Sequence, residues 1–406
     1  MIAAAARHDS APAAARLAGG RGLRRPGRRP AIVAAVERVE IAVVGAGVIG
    51  SATAWSLAAR GVPAVLLEQF GLGHDRGSSH GAARIFRLSY PDPDYVRMAV
   101  AARDEWVRVQ DDTGEELLVT TGGLDAGPGA DECAAALAEC GVPHAWLTAG
   151  ELSARFPAIA AAPGERMLFQ PDAGVLRAGP AVAALQRLAG RDGAQIRART
   201  EVTGIEPRGD GVLLRTPAGD ISARAAVVAA GGWTGGLLAG ALTRAPRLTV
   251  TLQQIRYFAP RPGSGPWPTL IEWSPGRAGW YAVPAVGDAP GVKVGAHVPG
   301  TAVDPRSGPF GVDLALEDEA ARYVRDRLPG LVPDGFGAET CLYTMTADEH
   351  FVIDREGPVV VGGGGLGHAF KFGPLLGEML ADLALGTEPR IPRERFALTR
   401  PALAPN

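Results

Sequence analysis

The feature that most restricts the fold of this chain is a glycine-rich turn between a short apolar run and a helical segment. The apolar run 41–44 leads into Gly45-Ala-Gly-Val-Ile-Gly50, and residues 51–60 have the character of a helix. A second apolar run, 65–67, follows the helix and ends at Glu68, 23 positions after Gly45. This order of strand, turn, helix and strand predicts a Rossmann-like unit.

Each position of the turn has its own physical role in binding a dinucleotide. Gly45 permits the tight turn, Gly47 lets backbone approach a pyrophosphate, and Gly50 lets the helix pack closely on the strand. The helix N-terminus faces the phosphates, and Glu68 can accept hydrogen bonds from ribose hydroxyls. We therefore expect Gly45, Gly47, Val48, Gly50 and Glu68 to contact a dinucleotide, although the motif does not distinguish FAD from NAD.

The overall composition is that of an ordinary globular protein. Of the 406 residues, 47% are hydrophobic and 21% are charged, and this is enough chain for two domains. The net charge of −2 argues against a nucleic-acid partner or a membrane surface, because both select basic proteins. No segment has the pattern of a membrane span. Three cysteines are too few for a disulfide framework, so we expect a reducing cytoplasm.

The N-terminal segment, residues 1–37, differs from the rest of the chain. Its first 36 residues carry seven arginines, many alanines and one acid, Asp9. An arginine-rich, acid-poor leader can be a transit peptide, but serine is almost absent. The composition therefore favours a disordered tail or an over-called start codon.

The two lysines of the chain are informative because they are so rare. Lys293 and Lys371 are the only lysines among 41 basic side chains, and all the others are arginine. An ammonium group is compact and its pKa shifts readily, so lysine serves where a guanidinium fails. Composition alone leaves open that both are surface residues kept by chance. Their neighbouring motifs favour a functional role.

Patterns along the chain predict an α/β fold of two domains, in which a Rossmann-like domain is combined with a β-rich domain in an α+β arrangement. Residues 359–361 lead into a second glycine-rich stretch at 362–367 and a helix at 373–385, so nucleotide-binding patterns occur near both ends. Residues 248–297 between them are rich in strands. We expect a Rossmann-like domain that is discontinuous in sequence, with an inserted substrate domain rich in β-sheet. The predicted ranges are 38–120, 168–245 and 346–395 for the first domain, and 121–167 and 246–345 for the second.

Four further segments are more specific than the glycine-rich turn. They are Ser78-Ser-His-Gly-Ala-Ala-Arg-Ile-Phe-Arg87, Gly291-Val-Lys-Val-Gly-Ala-His297, Thr340-Cys-Leu-Tyr-Thr-Met-Thr-Ala-Asp-Glu-His-Phe-Val-Ile-Asp354 and Leu366-Gly-His-Ala-Phe-Lys-Phe372. Together they resemble the monomeric sarcosine oxidase and N-methyltryptophan oxidase family over about residues 39–387. Both lysines fall on the two positions where this family uses lysine.

The resemblance implies FAD as the cofactor, held by a thioether between Cys341 and the flavin 8-methyl carbon. The Rossmann-like domain is then the FAD-binding domain. A thiolate at this position is made reactive by cationic surroundings. His80 and Arg84, which we count among the catalytic residues, are expected against the isoalloxazine ring. The remaining cofactor contacts expected are Ser78, Gly367 and His368.

The resemblance also implies a small amino-acid substrate, O2 as acceptor and a monomeric state. Arg87 and Lys371 are expected to clamp the substrate carboxylate, because a planar guanidinium suits bidentate binding. Lys293 is expected to activate oxygen, and His297, four positions further along a strand, shares its face. The other residues concerned are Tyr281 and Tyr343 in the pocket, and Trp273, Trp280 and Phe258, which influence pocket size but which the sequence does not place.

The chain departs from the family pattern at Ala82, Ala83 and Ala369, where hydrogen-bonding or glycine positions are replaced. The acidic run Asp348-Glu349-His350 invites a metal interpretation. If these residues lie on a strand, their side chains alternate between faces and cannot converge on an ion, so we expect no metal.

The sequence therefore predicts an FAD-dependent oxidase of N-methyl amino acids that reduces O2 to H2O2. Two enzymatic alternatives are an oxidase of a cyclic imino acid, D-amino acid or glycine with non-covalent FAD, and a dehydrogenase that passes electrons to a carrier. An alternative of another class is a non-catalytic dinucleotide-binding regulatory protein, which has no need of Lys293 or Lys371.

Overall fold

The computed structural model describes residues 36–274, 277–298 and 300–403. The predicted N-terminal tail lies outside this description except for its last two residues. Within the described ranges the helices are α1 Val48–Ala59, α2 Pro93–Thr113, α3 Ala130–Glu139, α4 Ala149–Arg155, α5 Ala178–Arg191, α6 Thr234–Leu238, α7 Leu314–Arg327 and α8 Gly373–Leu385.

The strands of the same ranges form three sheets. In chain order they are β1 Glu37–Val44, β2 Ala64–Leu67, β3 Ala83–Phe86, β4 Leu118–Thr120, β5 Gly123–Ala126, β6 Ala145–Thr148, β7 Arg166–Gln170, β8 Gly174–Arg177, β9 Gln195–Arg197, β10 Gly204–Arg208, β11 Gly211–Arg215, β12 Ile221–Val228, β13 Thr249–Phe258, β14 Thr269–Ser274, β15 Arg277–Val283, β16 Val292–Ala296, β17 Gly337–Met345, β18 Phe351–Glu356 and β19 Val359–Gly364.

The first sheet contains the strands on either side of the glycine-rich turn. Its order is β10-β11-β12-β1-β2-β9, and β19 joins at β12 and carries β18. The pairs β1–β2, β1–β12, β2–β9 and β12–β19 are parallel. Residues 41–44 and 64–67 are buried throughout, because helices cover the parallel strands. In folds of this type, ligands bind at the carboxyl ends of the parallel strands, which here are the ends of β1 and β2.

The turn after β1 requires glycine for reasons of space. A Cβ on Gly50 would lie 1.8 Å from the carbonyl oxygen of Gly45, so α1 could not pack at its present distance. Gly45 has a φ of +100°, a backbone conformation that L side chains rarely adopt. The turn is thereby held tight against the end of the strand, and α1 begins at Val48 and packs against α5 and α8.

The second sheet is long and mostly antiparallel, in the order β17-β13-β16-β15-β14-β5-β7-β6. The third sheet has the order β3-β8-β4. The predicted mixed α/β fold is confirmed. The domain boundaries stay a prediction; β7 of the second sheet, Arg166–Gln170, spans the predicted boundary at residue 168.

Local signals explain where several elements begin. Apolar residues recur at helical spacing over 95–112 and predict a helix there. The helix begins earlier, at Pro93, because Asp92 accepts a hydrogen bond from the backbone N–H of Asp94 (2.9 Å) and proline suits the first turn. The first strand begins at Glu37, inside the segment predicted as a tail, because Glu37 pairs with Ile221 in the sheet and with the Arg197 guanidinium.

Short elements of the chain were not predicted. Helix α4 and strands β3 to β8 have too few residues for a hydrophobic period to emerge. Cys133 lies in α3 and Cys140 directly follows it, and all three cysteines are free thiols. Among the described residues, no helix is both long and apolar enough to cross a bilayer.

Candidate active site

One cavity of about 1280 Å³ opens between the carboxyl ends of the first sheet and one face of the second. Its size exceeds the usual range for a single drug-sized ligand, which is roughly 300–1,000 Å³. All but one of the predicted site residues line it. They are Gly45, Gly47, Val48, Glu68, Ser78, His80, Arg84, Arg87, Tyr281, Lys293, His297, Cys341, Tyr343, Gly367, His368 and Lys371. The exception is Gly50, which lies behind the turn and packs against the carbonyl oxygen of Gly45.

The nucleotide end of the cavity is organised by Glu68. Its carboxylate accepts hydrogen bonds from the backbone N–H groups of Ala46 (2.9 Å) and Phe70 (2.9 Å), and the ring of His74 lies 3.4 Å away. Burial alone raises the pKa of Glu68, but the hydrogen bonds from His74, Phe70 and Ala46 outweigh burial, so its pKa is lowered. An ionised acceptor therefore stands at the end of β2, beside the N-terminus of α1.

The N-terminus of α1 is reached by a loop that the glycine motif does not include. Gly47 provides no side-chain cap, and the backbone N–H of Val48 donates instead to Ser79 Oγ (3.1 Å). The neighbouring Ser78 hydroxyl donates to the carbonyl oxygen of Leu342. The segment 78–87 thus joins the helix N-terminus to the strand that carries Cys341.

Arg84 holds this segment in shape. Its guanidinium donates to the carbonyl oxygens of Ser78 (2.8 Å), His80 (2.6 Å) and Ala83 (2.8 Å). The buried Nε2 atom of His80 has no hydrogen-bond partner among the described residues. Burial, followed by the charge of Arg84, lowers the pKa of His80. A buried polar atom without a partner is costly, so this nitrogen is suited to a ligand in the cavity.

Lys293 lies on β16 and reaches the same part of the cavity. Its side chain is 8% exposed, and Nζ donates to the carbonyl oxygen of Ala83 (3.3 Å). Burial, followed by the charge of Arg84, lowers the pKa of Lys293 to about 7. An anion bound beside it would restore the charged form.

Arg87 and Lys371 meet at a residue that the sequence analysis did not single out, Tyr90. The Arg87 Cζ atom lies 4.0 Å from the centroid of the Tyr90 ring, and Lys371 Nζ lies 5.7 Å from the same centroid. Lys371 Nζ donates to the carbonyl oxygen of His368 (3.0 Å), and the Lys371 carbonyl accepts from Trp106 Nε1 (2.7 Å). Burial, followed by the charge of Arg87, lowers the pKa of Lys371 well below its usual value.

Acidic side chains act on these basic groups only at longer range, Glu339 on Lys293 and the buried Asp125 on Arg87. In the part of the chain that the structure describes, no carboxylate forms an ion pair with Arg84, Arg87, Lys293 or Lys371. Buried cations normally pair with acids, because an isolated buried charge is unfavourable. The cavity wall is therefore built to receive negative charge.

Aromatic side chains complete the wall. The rings of His297 and Tyr343 lie 5.6 Å apart, and both face the cavity with Tyr281. Gly367 has a φ of +65°, and a Cβ there would lie 2.2 Å from the Tyr343 ring, so glycine makes room for the phenol. Burial raises the pKa of Tyr281 and of Tyr343, so both remain neutral and can donate hydrogen bonds.

Three residues without an assigned place can now be located. Trp273 lines the cavity, and its ring centroid lies 5.1 Å from Arg87 Cζ. Trp280 instead stacks on Tyr323, with ring centroids 4.8 Å apart, and Phe258 is fully buried in the core. Of the three candidates for pocket size, only Trp273 can contact a substrate.

The expectation that Asp348, Glu349 and His350 lie on a strand is wrong. They form the turn between β17 and β18, where Glu349 has a φ of +61°. Asp348 pairs with Arg400 (2.7 Å), and His350 Nδ1 lies 3.0 Å from the Tyr95 hydroxyl. No group of three metal-binding side chains occurs among the described residues.

The donor set fits FAD. The glycine turn and the start of α1 suit a pyrophosphate, and Glu68 suits ribose hydroxyls. The unpartnered His80 nitrogen, Arg84 and Lys293 suit the polar edge of a flavin ring, which carries negative charge when reduced. Cys341 lies on β17 and lines the same cavity.

Comparison with known proteins agrees with this geometry. The family described as FAD dependent oxidoreductase matches residues 40–383. A monomeric sarcosine oxidase of Streptomyces avermitilis is 35% identical, over 90% of this chain and 98% of its own length. Peroxisomal sarcosine oxidase of Mus musculus is 32% identical, over 88% and 95%. A solved structure of a mutant of NikD, an amino acid oxidase essential for nikkomycin biosynthesis, has a TM-score of 0.81 at 28% identity and covers 89% of this chain and 97% of its own.

The depressed lysine pKa values can be measured directly, because the chain has only two lysines. In FAD-free protein labelled with 13C-lysine, we expect the Cε signal of Lys293 to titrate near pH 7 and that of Lys371 well below 10.5, since burial penalises the ammonium form. In the Lys293→Met variant only the signal of Lys371 remains, and this assigns both signals. Two signals that both titrate near 10.5 would show that neither side chain is desolvated.

Proposed function

The chain belongs to the FAD-dependent oxidoreductase family and is an FAD-dependent amine oxidoreductase, and from this premise we propose that it oxidises the C–N bond of small N-methyl amino acids. The resemblance of the sequence to monomeric sarcosine oxidases is confirmed by the relatives described above. The observation that carries the proposal is the pair Arg87 and Lys371, whose Cζ and Nζ atoms lie 4.0 and 5.7 Å from the centroid of the Tyr90 ring and which form no ion pair among the described residues.

Arg87 and Lys371 have the chemistry that a substrate carboxylate needs. The guanidinium offers a planar fork for two carboxylate oxygens, and the ammonium adds a compact charge. Binding the carboxylate orients the rest of the substrate in the cavity. The two cations also lower the pKa of the substrate amine, so that it reacts as the neutral base.

The other residues have supporting roles. When bound, FAD supplies the redox chemistry, accepting a hydride from the substrate and passing two electrons to O2. Tyr281, Tyr343 and His297 position the substrate by hydrogen bonding and packing. Lys293, near His80 and Arg84, stabilises the negative charge that develops when O2 takes an electron, and H2O2 leaves.

We also propose that FAD is held covalently through Cys341. The thiol lines the cavity on the strand that Ser78 joins to the loop of Arg84 and His80. A cysteine sulfur at this place is the nucleophile that a thioether to the flavin requires. A monomeric state belongs to the same proposal, supported by the description of the Streptomyces relative as monomeric.

The proposed reaction predicts a requirement for the carboxylate. With sarcosine, N-methyltryptophan and pipecolate, we expect at least one substrate to give one H2O2 for each O2 consumed. The matched controls are the same amines without the carboxylate, such as dimethylamine and N-methyltryptamine. Because a buried charge pair is lost, their kcat/KM should be lower by roughly 30-fold or more. Equal turnover of acid and decarboxylated amine would contradict the carboxylate clamp.

The two lysines predict opposite kinetic phenotypes. Lys293→Met should slow flavin reoxidation by O2 by about 10²–10³-fold, the usual effect of removing one preorganised charge, with little change in flavin reduction. Lys371→Met should instead weaken substrate binding by roughly 30-fold and leave reoxidation nearly unchanged. Stopped-flow measurement of the two half-reactions separates these effects.

The pH dependence provides the control. Lys293 is charged below its pKa, so the advantage of the wild type over Lys293→Met should shrink as the pH rises through that pKa. Because a bound anion raises the pKa, the decline should lie above pH 7. Equal slowing of both half-reactions by Lys293→Met would argue against a role specific to oxygen.

A covalent link predicts that the flavin stays with the polypeptide when the protein is denatured. After acid precipitation, flavin should stay in the pellet of the wild type and move to the supernatant in Cys341→Ser. The control Cys140→Ser, which removes a thiol outside the cavity, should keep its colour in the pellet. Flavin recovered in the wild-type supernatant would show that FAD is bound non-covalently.

A further inference from the structure

A buried acid lies behind the carboxylate clamp and is not explained by the proposed chemistry. Asp125, on β5, is 0% exposed and does not line the cavity. Its Oδ1 atom accepts hydrogen bonds from Trp273 Nε1 (2.8 Å) and from Ser89 Oγ (3.0 Å), and its Oδ2 atom accepts from the amide of Gln170. Three donors on three separate segments thus converge on one carboxylate.

One arm of this network fixes the chain that carries Arg87. The Oε1 atom of Gln170 accepts from the backbone N–H groups of Leu88 (3.0 Å) and Ser89 (2.8 Å). The guanidinium of Arg87 donates to the carbonyl oxygen of Ser89. Asp125 therefore holds Ser89 directly and holds the backbone of both Leu88 and Ser89 through Gln170.

The other arm fixes the indole beside the guanidinium. Arg87 Cζ lies 5.1 Å from the Trp273 ring centroid and 4.0 Å from that of Tyr90, so aromatic rings flank it. The back of Trp273 packs on Gly129, where a Cβ would lie 3.0 Å from the Trp273 Cβ. The bond from Nε1 to Asp125 then sets the orientation of the ring.

We propose that Asp125 is a positioning residue of the carboxylate clamp, which acts through Trp273 and through Gln170 and Ser89 to fix the Arg87 guanidinium. The inference rests on the proposed function, in which Arg87 binds the substrate carboxylate. Asp125 itself touches neither the cavity nor a substrate.

Replacing Asp125 has two opposite effects on the affinity for a carboxylate, one electrostatic and one geometric. Burial raises the pKa of Asp125, whereas the charge of Arg87 and the three hydrogen bonds lower it. In its ionised form Asp125 repels an anion near Arg87, so removing that charge alone would tighten carboxylate binding. Removing the anchor would weaken binding, because an asparagine presents N–H to at least one of the three donors and frees the groups that hold Arg87. A positioning role requires that the second effect be the larger.

The test uses the holoenzyme with acetate as the probe, followed by the change in flavin absorbance. In Asp125→Asn we expect acetate to bind about tenfold more weakly and the substrate KM to rise similarly, with the limiting rate of flavin reduction within about threefold of the wild type. Trp273→Phe keeps an aromatic ring, although a smaller one, but removes the N–H, and should weaken acetate binding about threefold. The matched control is Asp172→Asn, a partly buried acid two residues after Gln170 that pairs with Arg103 (2.8 Å) outside the cavity, and this variant should bind acetate as the wild type does.

The double variant tests the route of the effect. If Asp125 acts partly through Trp273, the two losses are not additive, and the double variant should bind acetate about as weakly as Asp125→Asn alone. Acetate binding that tightens or stays unchanged in Asp125→Asn would overturn the proposal, as would losses that multiply fully. If Asp125→Asn fails to fold, Trp273→Phe decides, and unchanged acetate binding there overturns the proposal.

Failure of the proposed function can be recognised separately. A wild type that oxidises none of the amino acids but still binds acetate refutes the proposed reaction, and the variants can then still be compared by acetate binding. If the wild type does not bind acetate, both the carboxylate clamp and the positioning role of Asp125 are refuted.

Discussion

The structure depends on basic side chains that are buried around one cavity and, among the described residues, form no ion pair with a carboxylate. Lys293 and Lys371 are 8% and 5% exposed, and burial lowers the pKa of each. Burying such groups destabilises a fold unless a ligand brings the opposite charge. The site is therefore suited to anionic partners, and the flavin and the proposed substrate carboxylate would, on binding, offset part of the free energy lost by desolvation.

The fold tolerates this arrangement because each cation is held by rigid elements. Lys293 projects from the middle of the second sheet, where β16 lies between β13 and β15. Lys371 lies in a short turn before α8, held by hydrogen bonds to His368 and from Trp106. Arg84 is held by carbonyl oxygens of its own loop. Charge is thus fixed in place by backbone, and little reorganisation is needed when a ligand binds.

The sequence predicted the local elements that have a strong period or a strong motif. The first strand, the glycine turn and the helix after it were predicted because their residue types serve one geometry, and the helix at Gly373–Leu385 was predicted with its present bounds. The acidic turn before β18 was misassigned to a strand, because no glycine or proline marks a turn at residues 346–350. Tyr90 and Asp125 were missed because an isolated tyrosine, or an acid within a four-residue strand, carries no periodic signal.

What the sequence determined by itself is the chemistry available: a dinucleotide turn, two lysines in a chain that otherwise uses arginine, and a cysteine within a specific motif. What only the tertiary structure decided is which side chains meet. Tyr90 approaches His368 across 278 positions of sequence, and Trp273 reaches Asp125 across 148. Such pairs depend on how the sheets and loops pack, and packing depends on the shapes of many side chains together. The chemistry of each residue can therefore be read in order along the chain, whereas the wall behind the carboxylate clamp exists only in the folded protein.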